Sequence, residues 1–301
     1  MNIKIPEAYQ PYLRIGTCSW KFDSWKGLLY EPAKIYKPDD YLGDYARYLN
    51  SVEIDQWFWS LFPGGVKLPD LGMVKTYVDS VPDDFVFTVK APNSLTLTHF
   101  YSKQPRKYTE YAGKANEHFL NTELLERFLE RLTLMEDKLG PIMFQFEYLN
   151  KKKMPTKEVF FDRFHEFMSK APKDYKYAVE IRNPNYLSSA FFKFLKEHSL
   201  GFVYLEGYYM PPIADVFDKF DPATADFCII RLHGGNRLEI ETTTEGLWNR
   251  IVSPKPEGLK AAAQIVRVNR KRNITTFVNI NNHFEGSAPV TVERFLDFLG
   301  Q

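Results

Sequence analysis

Charged and amide side chains alternate with large apolar ones in six short segments of the chain. The polar members that could do chemistry are Glu53, Lys90, Gln145, Glu180, Arg182, Arg231, His233, Asn279 and Asn281. Successive side chains of a β-strand point to opposite faces, so each segment, as a strand, turns its polar residues to one side. Because burying an unpaired ion is costly, this polar set must either pair internally or meet water and a ligand.

One chemistry that these residue types could support is general acid–base catalysis. Glu180 or Glu53 could accept a proton. Burial could raise the pKa of the carboxyl group toward neutrality, or Arg182 could hold the group ionised. His233 or His99 could act as the acid, while Lys90 and Arg231 stabilise developing negative charge. The candidate catalytic residues are Glu53, Lys90, Glu180 and His233. The candidate substrate-binding residues are Trp20, His99, Gln145, Arg182, Arg231, Asn279, Asn281, Asn282 and His283.

Three alternatives use the same residues. Metal-assisted phosphoester or nucleic-acid processing would take Glu53, Glu180 and His233 as ligands, although no HxH or HExxH spacing supports a metal site. A non-catalytic protein could hold a polar, anionic small molecule with the same amides and cations. In a purely structural alternative, Glu53 or Glu180 pairs with Arg231 or another cation only to hold the fold together.

The elements that must position these residues follow from periodicity. Eight apolar runs bounded by turn-forming residues predict strands that begin at Leu13, Ser51, Phe85, Pro141, Tyr177, Gly201, Phe227 and Ile274. Segments with helical period predict helices from Leu124, Glu158, Ser189, Leu259 and Val290. This alternation predicts a (β/α)₈ TIM barrel in a single domain over residues 1–301, with a doubly wound open sheet as the alternative. In such barrels the C-terminal ends of the strands carry function, and the polar set falls there.

Composition narrows the choice of partner and compartment. Lys and Arg number 39 against 38 Asp and Glu, so the global charge lacks the basic excess typical of nucleic-acid-binding proteins, and we expect a polar small-molecule ligand. The two cysteines lie in no disulfide or zinc spacing. Neither an export signal nor a membrane-spanning run is present, which predicts a cytoplasmic protein without membrane contact. Glycine-rich phosphate loops are also missing, so the sequence indicates no nucleotide cofactor and leaves any other cofactor and the oligomeric state open.

Eight short blocks follow one another along nearly the whole chain. They are GTCSW at Gly16–Trp20, WKG at Trp25–Gly27, LNSVEID at Leu49–Asp55, FTVKAP at Phe87–Pro92, LGPIMFQF at Leu139–Phe146, VEIR at Val179–Arg182, RLHG at Arg231–Gly234 and NNHFEGSAP at Asn281–Pro289. Together they resemble the YecE-like family, domain of unknown function 72. The resemblance implies a TIM barrel whose activity is unsettled. One departure is Cys18–Ser19, where the family usually has Ser-Gly.

Overall fold

The structure, a computed structural model, describes Met1 and residues 3–300. Its central strands are β1 Leu13–Thr17, β2 Ser51–Ile54, β3 Val86–Lys90, β4 Leu139–Gln145, β5 Tyr177–Glu180, β6 Gly201–Gly207, β7 Phe227–Gly234 and β8 Thr275–Ile280. The α-helices within these residues are α1 Asp40–Tyr45, α2 Leu71–Asp79, α3 Asn93–Thr96, α4 Thr122–Leu132, α5 Lys157–Lys170, α6 Ser189–Glu197, α7 Ile213–Phe220, α8 Arg237–Thr244, α9 Pro256–Lys271, α10 Asn282–Glu285 and α11 Ala288–Gly300. A two-residue hairpin, Leu61–Phe62 with Gly65–Val66, follows β2.

The eight strands form one parallel sheet in the order β1-β8-β7-β6-β5-β4-β3-β2. Each observed strand begins within two residues of its predicted start. The predicted (β/α)₈ barrel is therefore confirmed, and the doubly wound open sheet is wrong because the first strand pairs with the last.

The barrel closes between β1 and β2, and much of this closure is made by side-chain hydrogen bonds. We call the boundary between these two strands the seam. The Asn50 amide lies along β1: its Oδ1 accepts from the backbone N–H of Ile15 at 2.8 Å, and its Nδ2 donates to the carbonyl of Leu13 at 3.1 Å. Farther along, the Tyr45 hydroxyl accepts from the Thr17 N–H at 2.9 Å and donates to the first carbonyl of β2 at 3.0 Å. These two side chains satisfy backbone groups that a neighbouring strand would otherwise satisfy.

At the mouth of the barrel the seam is closed by the backbone itself. Cys18 and Glu53 form a parallel bridge, and the Ser19 N–H donates to the Glu53 carbonyl at 3.1 Å. Gly16 permits the close approach, since a Cβ there would lie 2.0 Å from the carbonyl oxygen of Ser51. Cys18 and Glu53 are thus fixed side by side at the C-terminal ends of their strands.

The barrel interior is apolar near the N-terminal ends of the strands and polar near the C-terminal ends. The apolar layer packs Met143, Ala178, Val203, Ile229 and Phe277. The next inward positions on four of these strands carry Gln145, Glu180, Arg231 and Asn279, all buried. The predicted alternation of apolar outward and polar inward residues is confirmed.

The helices cover the barrel with their apolar faces. In α4 the side chains at helical spacing, Leu124, Leu125, Phe128, Leu129 and Leu132, are all buried. The helical period that begins at Leu124 extends in the sequence to Gly140. The helix ends earlier, at Leu132, where the chain enters a 3₁₀ segment in which Glu136 adopts a φ of 46°. Among the described residues, no helix combines the length and apolar character that crossing a bilayer requires.

Candidate functional site

The C-terminal ends of the strands surround a cavity of about 580 Å³. Its lining combines a polar floor with aromatic side chains on the rim, which are Phe22, Phe58, Trp59, Tyr101, Tyr208 and Trp248. The predicted residues that line it are Lys90, Gln145, Arg182, Arg231, His233, Asn281, Asn282 and His283. The predicted residues Glu53, Glu180 and Asn279 do not line the cavity themselves. They form the buried part of its floor, where Glu53 bonds to Asn279 and both glutamates bond to Arg231.

The floor is built around the fully buried guanidinium of Arg231. Its Nε and Nη2 donate to the two carboxylate oxygens of Glu53, at 2.8 and 2.7 Å. Its Nη1 donates to Glu180 and, at 3.4 Å, to Gln145. Bidentate pairing of this kind fixes geometry as well as charge. β2, β4, β5 and β7 are thereby tied together through one side chain.

The remaining carboxylate positions are also occupied. Arg182 Nε donates to Glu180 at 2.9 Å, and Asn279 Nδ2 donates to Glu53 at 3.2 Å and to the Thr88 hydroxyl at 3.0 Å. We call the set Glu53, Glu180, Arg231, Gln145 and Asn279 the floor network. In this network each carboxylate oxygen accepts at least one hydrogen bond, so the network resembles the structural alternative considered for these residues.

The ionisation of Glu180 agrees with this pairing. Burial alone would raise the pKa of its carboxyl, but the charges of Arg231, Arg182 and Lys90 outweigh burial and lower the pKa to about 2. Of the two possibilities that the sequence left for Glu180, a carboxylate held ionised by arginine agrees with this pKa. A carboxyl group with its pKa raised toward neutrality does not. A carboxylate this acidic, with both oxygens engaged, is poorly suited to accept a proton, and Glu53 is engaged in the same way.

Lys90 differs from its neighbours in the floor. Its side chain is 8% exposed, and the ammonium lies 3.9 Å from the centroid of the Phe58 ring. It makes no hydrogen bond or ion pair with the residues that the structure describes. Burial and then the charge of Arg231 lower the pKa of Lys90 to about 8. Lys90 therefore exposes to the cavity an amine that can lose its proton near neutral pH.

His233 is a second group with unused capacity. Its Nε2 lies 3.7 Å from Cys18 Sγ, and its Nδ1 is buried without a partner among the described residues. Burial, followed by the charges of Arg231 and Arg182, lowers the pKa of His233 well below its ordinary value. The ring is therefore neutral at physiological pH. The acid role expected for His233 is disfavoured, and a role as proton acceptor or hydrogen-bond partner fits better.

The Cys18–Ser19 dipeptide lies at the edge of the same floor. Burial, and then the charge of Glu53, raise the pKa of the Cys18 thiol well above its ordinary value, so the thiol stays protonated. Ser19 adopts a φ of 70°, a left-handed conformation that glycine takes up readily. That observation accounts for the glycine that the family usually has at this position.

Asp55 lines the cavity but was not among the predicted site residues. It follows Glu53 by two positions, so the same alternation that selected Glu53 could have selected it. Its carboxylate makes no ion pair with the described part of the chain. Burial and then the charge of Glu53 raise its pKa. Asp55 is therefore a better candidate than Glu53 for donating or accepting a proton.

The amides after β8 are largely committed to holding the backbone. Asn281 Oδ1 accepts from the His283 backbone N–H at 2.9 Å and so caps α10. Asn282 Oδ1 accepts from the Ala288 N–H at 2.9 Å. His283 Nε2 lies 3.0 Å from a Glu241 oxygen at the rim. The amides thus shape this wall of the cavity more than they offer free donors to it.

Two predicted binding residues lie outside the cavity. Trp20 is 1% exposed and packs edge-on against Tyr77 at a centroid distance of 5.1 Å, because the chain after β1 turns its ring into the core. His99 is bonded to the neighbouring Thr98 hydroxyl at 2.9 Å and bridges to Ala115 within the loop after β3. The binding roles expected for Trp20 and His99 therefore do not fit the cavity.

Further cavity residues come from loops and from a helix that periodicity did not predict. Tyr208, in the loop after β6, places its ring 4.2 Å from the guanidinium carbon of Arg182 and 5.3 Å from the ring centroid of His233. Arg237 and Glu241, both on α8, pair at 2.8 Å on the rim. No spacing in the sequence identified these side chains, because Tyr208 lies in a loop without a strand or helix period and α8, with eight residues, is too short to show a clear one.

The geometry does not favour a metal centre. Within Met1 and residues 3–300, no three His, Cys, Asp or Glu side chains converge as a metal ion would require. The carboxylates of Glu53 and Glu180, which the metal alternative takes as ligands, already accept hydrogen bonds from Arg231. A metal would have to displace these charge-assisted bonds.

Comparison with known proteins agrees with the fold. A DUF72 family protein from Thermotoga maritima is 23% identical, with a TM-score of 0.64 over 96% of this chain and 100% of that one. A DUF72 family protein from Enterococcus faecalis is 19% identical, with a TM-score of 0.64 over 96% of both chains. Among curated proteins none matches this chain. The family model described as protein of unknown function DUF72 matches residues 14–301, nearly the whole length. This chain therefore belongs to the DUF72 family.

Proposed function

We propose that this chain is an enzyme that binds a small polar molecule with an anionic group in the barrel mouth and transfers protons on it. One observation carries the proposal: Lys90, Asp55 and His233 all face one cavity and make no ion pair with any described residue, while the charged groups beneath them are saturated. The pKa values of Asp55 and Lys90 are shifted toward neutrality, as proton transfer near neutral pH requires, and the lowered pKa of His233 keeps its ring neutral and able to accept a hydrogen bond or a proton.

The binding half of the proposal rests on free donors. The terminal nitrogens of Arg182 make no hydrogen bond with the described residues, and Lys90 is equally free, so both can pair with a carboxylate or phosphate. The aromatic rim offers flat apolar faces, which suits a sugar ring. We therefore assign ligand binding to Arg182, Lys90 and the rim. Proton transfer is assigned to Lys90, Asp55 and His233.

The first test is thermal melting with inorganic phosphate, glucose 6-phosphate and glucose. We expect the two anions to raise the melting temperature and glucose to have little effect. Arg182→Met should abolish the response, whereas Arg272→Met, which alters an arginine paired with Asp221, should keep it. Equal responses in both variants would contradict binding at the mouth.

The second test separates an enzyme from a binding protein. A sugar phosphate that raises the melting temperature is incubated with the protein in D₂O and followed by NMR. Product formation, or exchange of a carbon-bound proton that Lys90→Met abolishes, would support catalysis. Tight binding without product or exchange across the stabilising ligands would identify a binding protein instead.

A further inference from the structure

Lys90 has a position in the cavity that proton transfer alone does not require. A lysine amine becomes a nucleophile when it is desolvated or placed beside another cation, because both conditions favour the uncharged form. Lys90 satisfies both, since it is buried and its pKa is lowered by burial and by Arg231. No hydrogen-bond acceptor among the described residues holds its ammonium form, and the cavity gives a substrate access to Nζ.

From this geometry we infer that Lys90 forms a covalent imine with a carbonyl group of an anionic substrate, such as a 2-oxo acid or a phosphorylated aldehyde or ketone. This inference rests on the proposed function and names the substrate class for the same cavity. Arg182 would bind the anionic group of that substrate and so direct its carbonyl carbon toward Nζ.

The step balances without any oxidant or reductant. The Nζ lone pair attacks the carbonyl carbon, the C=O π electrons move to oxygen, the oxygen takes up a proton and the nitrogen loses its first proton, which gives a neutral carbinolamine. The hydroxyl then takes up a second proton and leaves as water, while the nitrogen loses its second proton, which gives the C=N bond. One carbonyl and one amine thus become one imine and one water.

Asp55 is suited to supply the proton that the leaving oxygen needs. The paired register of β2 and β3 ends at Ile54 and Val89, and the next residues, Asp55 and Lys90, both line the cavity and are close enough for the charge of each to act on the pKa of the other. Burial raises the pKa of Asp55, which keeps its carboxyl closer to the protonated form than an exposed aspartate. An acid beside the amine is the pairing that imine formation requires.

Another lysine of the chain provides a matched comparison. Lys255 is half-buried and its pKa is also lowered. Its Nζ, however, donates to the Ser253 hydroxyl at 3.0 Å, to the Ser253 carbonyl at 3.2 Å and to the carbonyl of Phe284. Lys255 therefore shares a lowered pKa with Lys90, but it is less buried and its amine is engaged in hydrogen bonds.

The experiment traps the imine on the wild-type protein at pH 7 with sodium cyanoborohydride and glyoxylate, the smallest carbonyl compound that carries a carboxylate. Peptide mass spectrometry then gives the labelling rate of each lysine. With the pKa values above, the free-amine fraction of Lys90 at pH 7 exceeds that of an ordinary lysine by about two orders of magnitude. We expect Lys90 to label at least about tenfold faster than Lys255 and the exposed lysines. Labelling of Lys90 no faster than these would overturn the inference.

Two further arms locate the reaction. In the first arm, formaldehyde, which is neutral, replaces glyoxylate, and the ratio of the glyoxylate rate to the formaldehyde rate is measured for each lysine. A larger ratio at Lys90 than at the exposed lysines supports recruitment of the carboxylate by Arg182. A ratio no greater than theirs would remove the anionic part of the assignment. In the other arm, inorganic phosphate should protect Lys90 and leave the rate at Lys255 unchanged, and a lack of protection would place the labelled amine outside the anion site.

The variant Lys90→Arg distinguishes this inference from the proposed function. Arginine keeps the positive charge, so phosphate should still raise the melting temperature, while rapid labelling by glyoxylate should disappear. A phosphate response together with slow labelling in the wild type would overturn the imine and leave the proposed function intact. Rapid labelling without any anion response would overturn anion binding and leave the nucleophile intact.

Discussion

Two neighbouring regions of the barrel mouth use the same residue types in opposite ways. In the floor network, Arg231 is bonded to both Glu53 and Glu180, and the carboxylate oxygens of both are occupied. In the cavity just above, Lys90 has no bonded partner among the described residues, and His233 Nδ1 is unpaired. The saturated groups hold the strands in place, whereas the unsaturated ones keep capacity for a ligand. Burial and charge alone therefore do not identify function. Among the titratable groups, unused bonding capacity separates the two regions, although the neutral amide of Asn279 in the floor network also has an Oδ1 without a partner among the described residues.

The largest expected effect comes from removing the centre of the floor network. Arg231→Met leaves two buried carboxylates unpaired and should lower the free energy of unfolding by about 3–5 kcal/mol, or prevent folding. Urea unfolding followed by circular dichroism measures the loss. Arg272→Met should change stability by less than about 1 kcal/mol, because the Arg272–Asp221 pair is largely exposed. A similarly small loss for Arg231→Met would show that the floor network does not hold the barrel.

The next effect concerns the charge of Glu180. Its folded pKa of about 2 lies below its ordinary value of 4.5, so the carboxylate stabilises the fold above pH 4.5. This stabilisation is lost as pH falls from 4.5 to 2. Glu180→Gln should therefore lower the free energy of unfolding by about 3 kcal/mol at pH 7, and the difference from wild type should shrink below pH 4.5.

Unfolding titrations at pH 7, 4.5 and 3 test this expectation. Glu126→Gln, at an exposed position of α4, serves as the control and should change stability by less than about 0.5 kcal/mol. Should Glu180→Gln keep full stability but lose the response to phosphate, Glu180 belongs with the functional groups above the floor, and the comparison between the two regions fails.

The smallest effect, with the opposite sign, belongs to Lys90. Its folded pKa of about 8 lies below its ordinary 10.5, so its charge destabilises the fold below pH 8 and the penalty disappears between pH 8 and 10.5. Lys90→Met should therefore raise the free energy of unfolding at pH 7 by about 1–3 kcal/mol, with the gain shrinking above pH 8. It should also weaken the response to phosphate.

Lys255→Met is the matched control for this change. It removes a lysine whose pKa is also lowered but whose ammonium donates three hydrogen bonds, and the loss of these bonds should lower stability by about 1–2 kcal/mol. Guanidinium unfolding at pH 7 and 9 compares the two variants. If Lys90→Met destabilises the protein as Lys255→Met does, Lys90 has a structural partner and the contrast between floor and cavity is wrong.

Periodicity alone predicted the barrel and the inward phase of its strands. In β5, for example, the outward residues Tyr177 and Val179 alternate with Glu180, and a one-residue change of phase would put that carboxylate among the helices. The sequence could not predict which polar groups saturate each other. Arg231 meets Glu53 across 178 positions, and that contact depends on the relative heights of three strands and on rotamers.

The rim was predicted least well, for a different reason. Short elements such as α8 and α10 contain too few turns for a clear helical period. Asn281 looked like the last residue of β8, but its tendency to cap a helix prevailed. Trp20 was expected in the site because aromatic residues are common in clefts, and the same property makes them common in cores.

The seam between β1 and β2 has a consequence for synthesis of the chain. β1 is translated before the other seven strands, yet its ladder partner β8 begins at Thr275, so one backbone edge stays unpaired until the other strands have been made. An unpaired strand edge invites association with another nascent polypeptide. Tyr45 and Asn50 are translated soon after β1 and bind its other edge in the finished barrel. We expect these two side chains to satisfy one edge of the nascent β1, so that only the edge that later pairs with β8 stays exposed to other polypeptides.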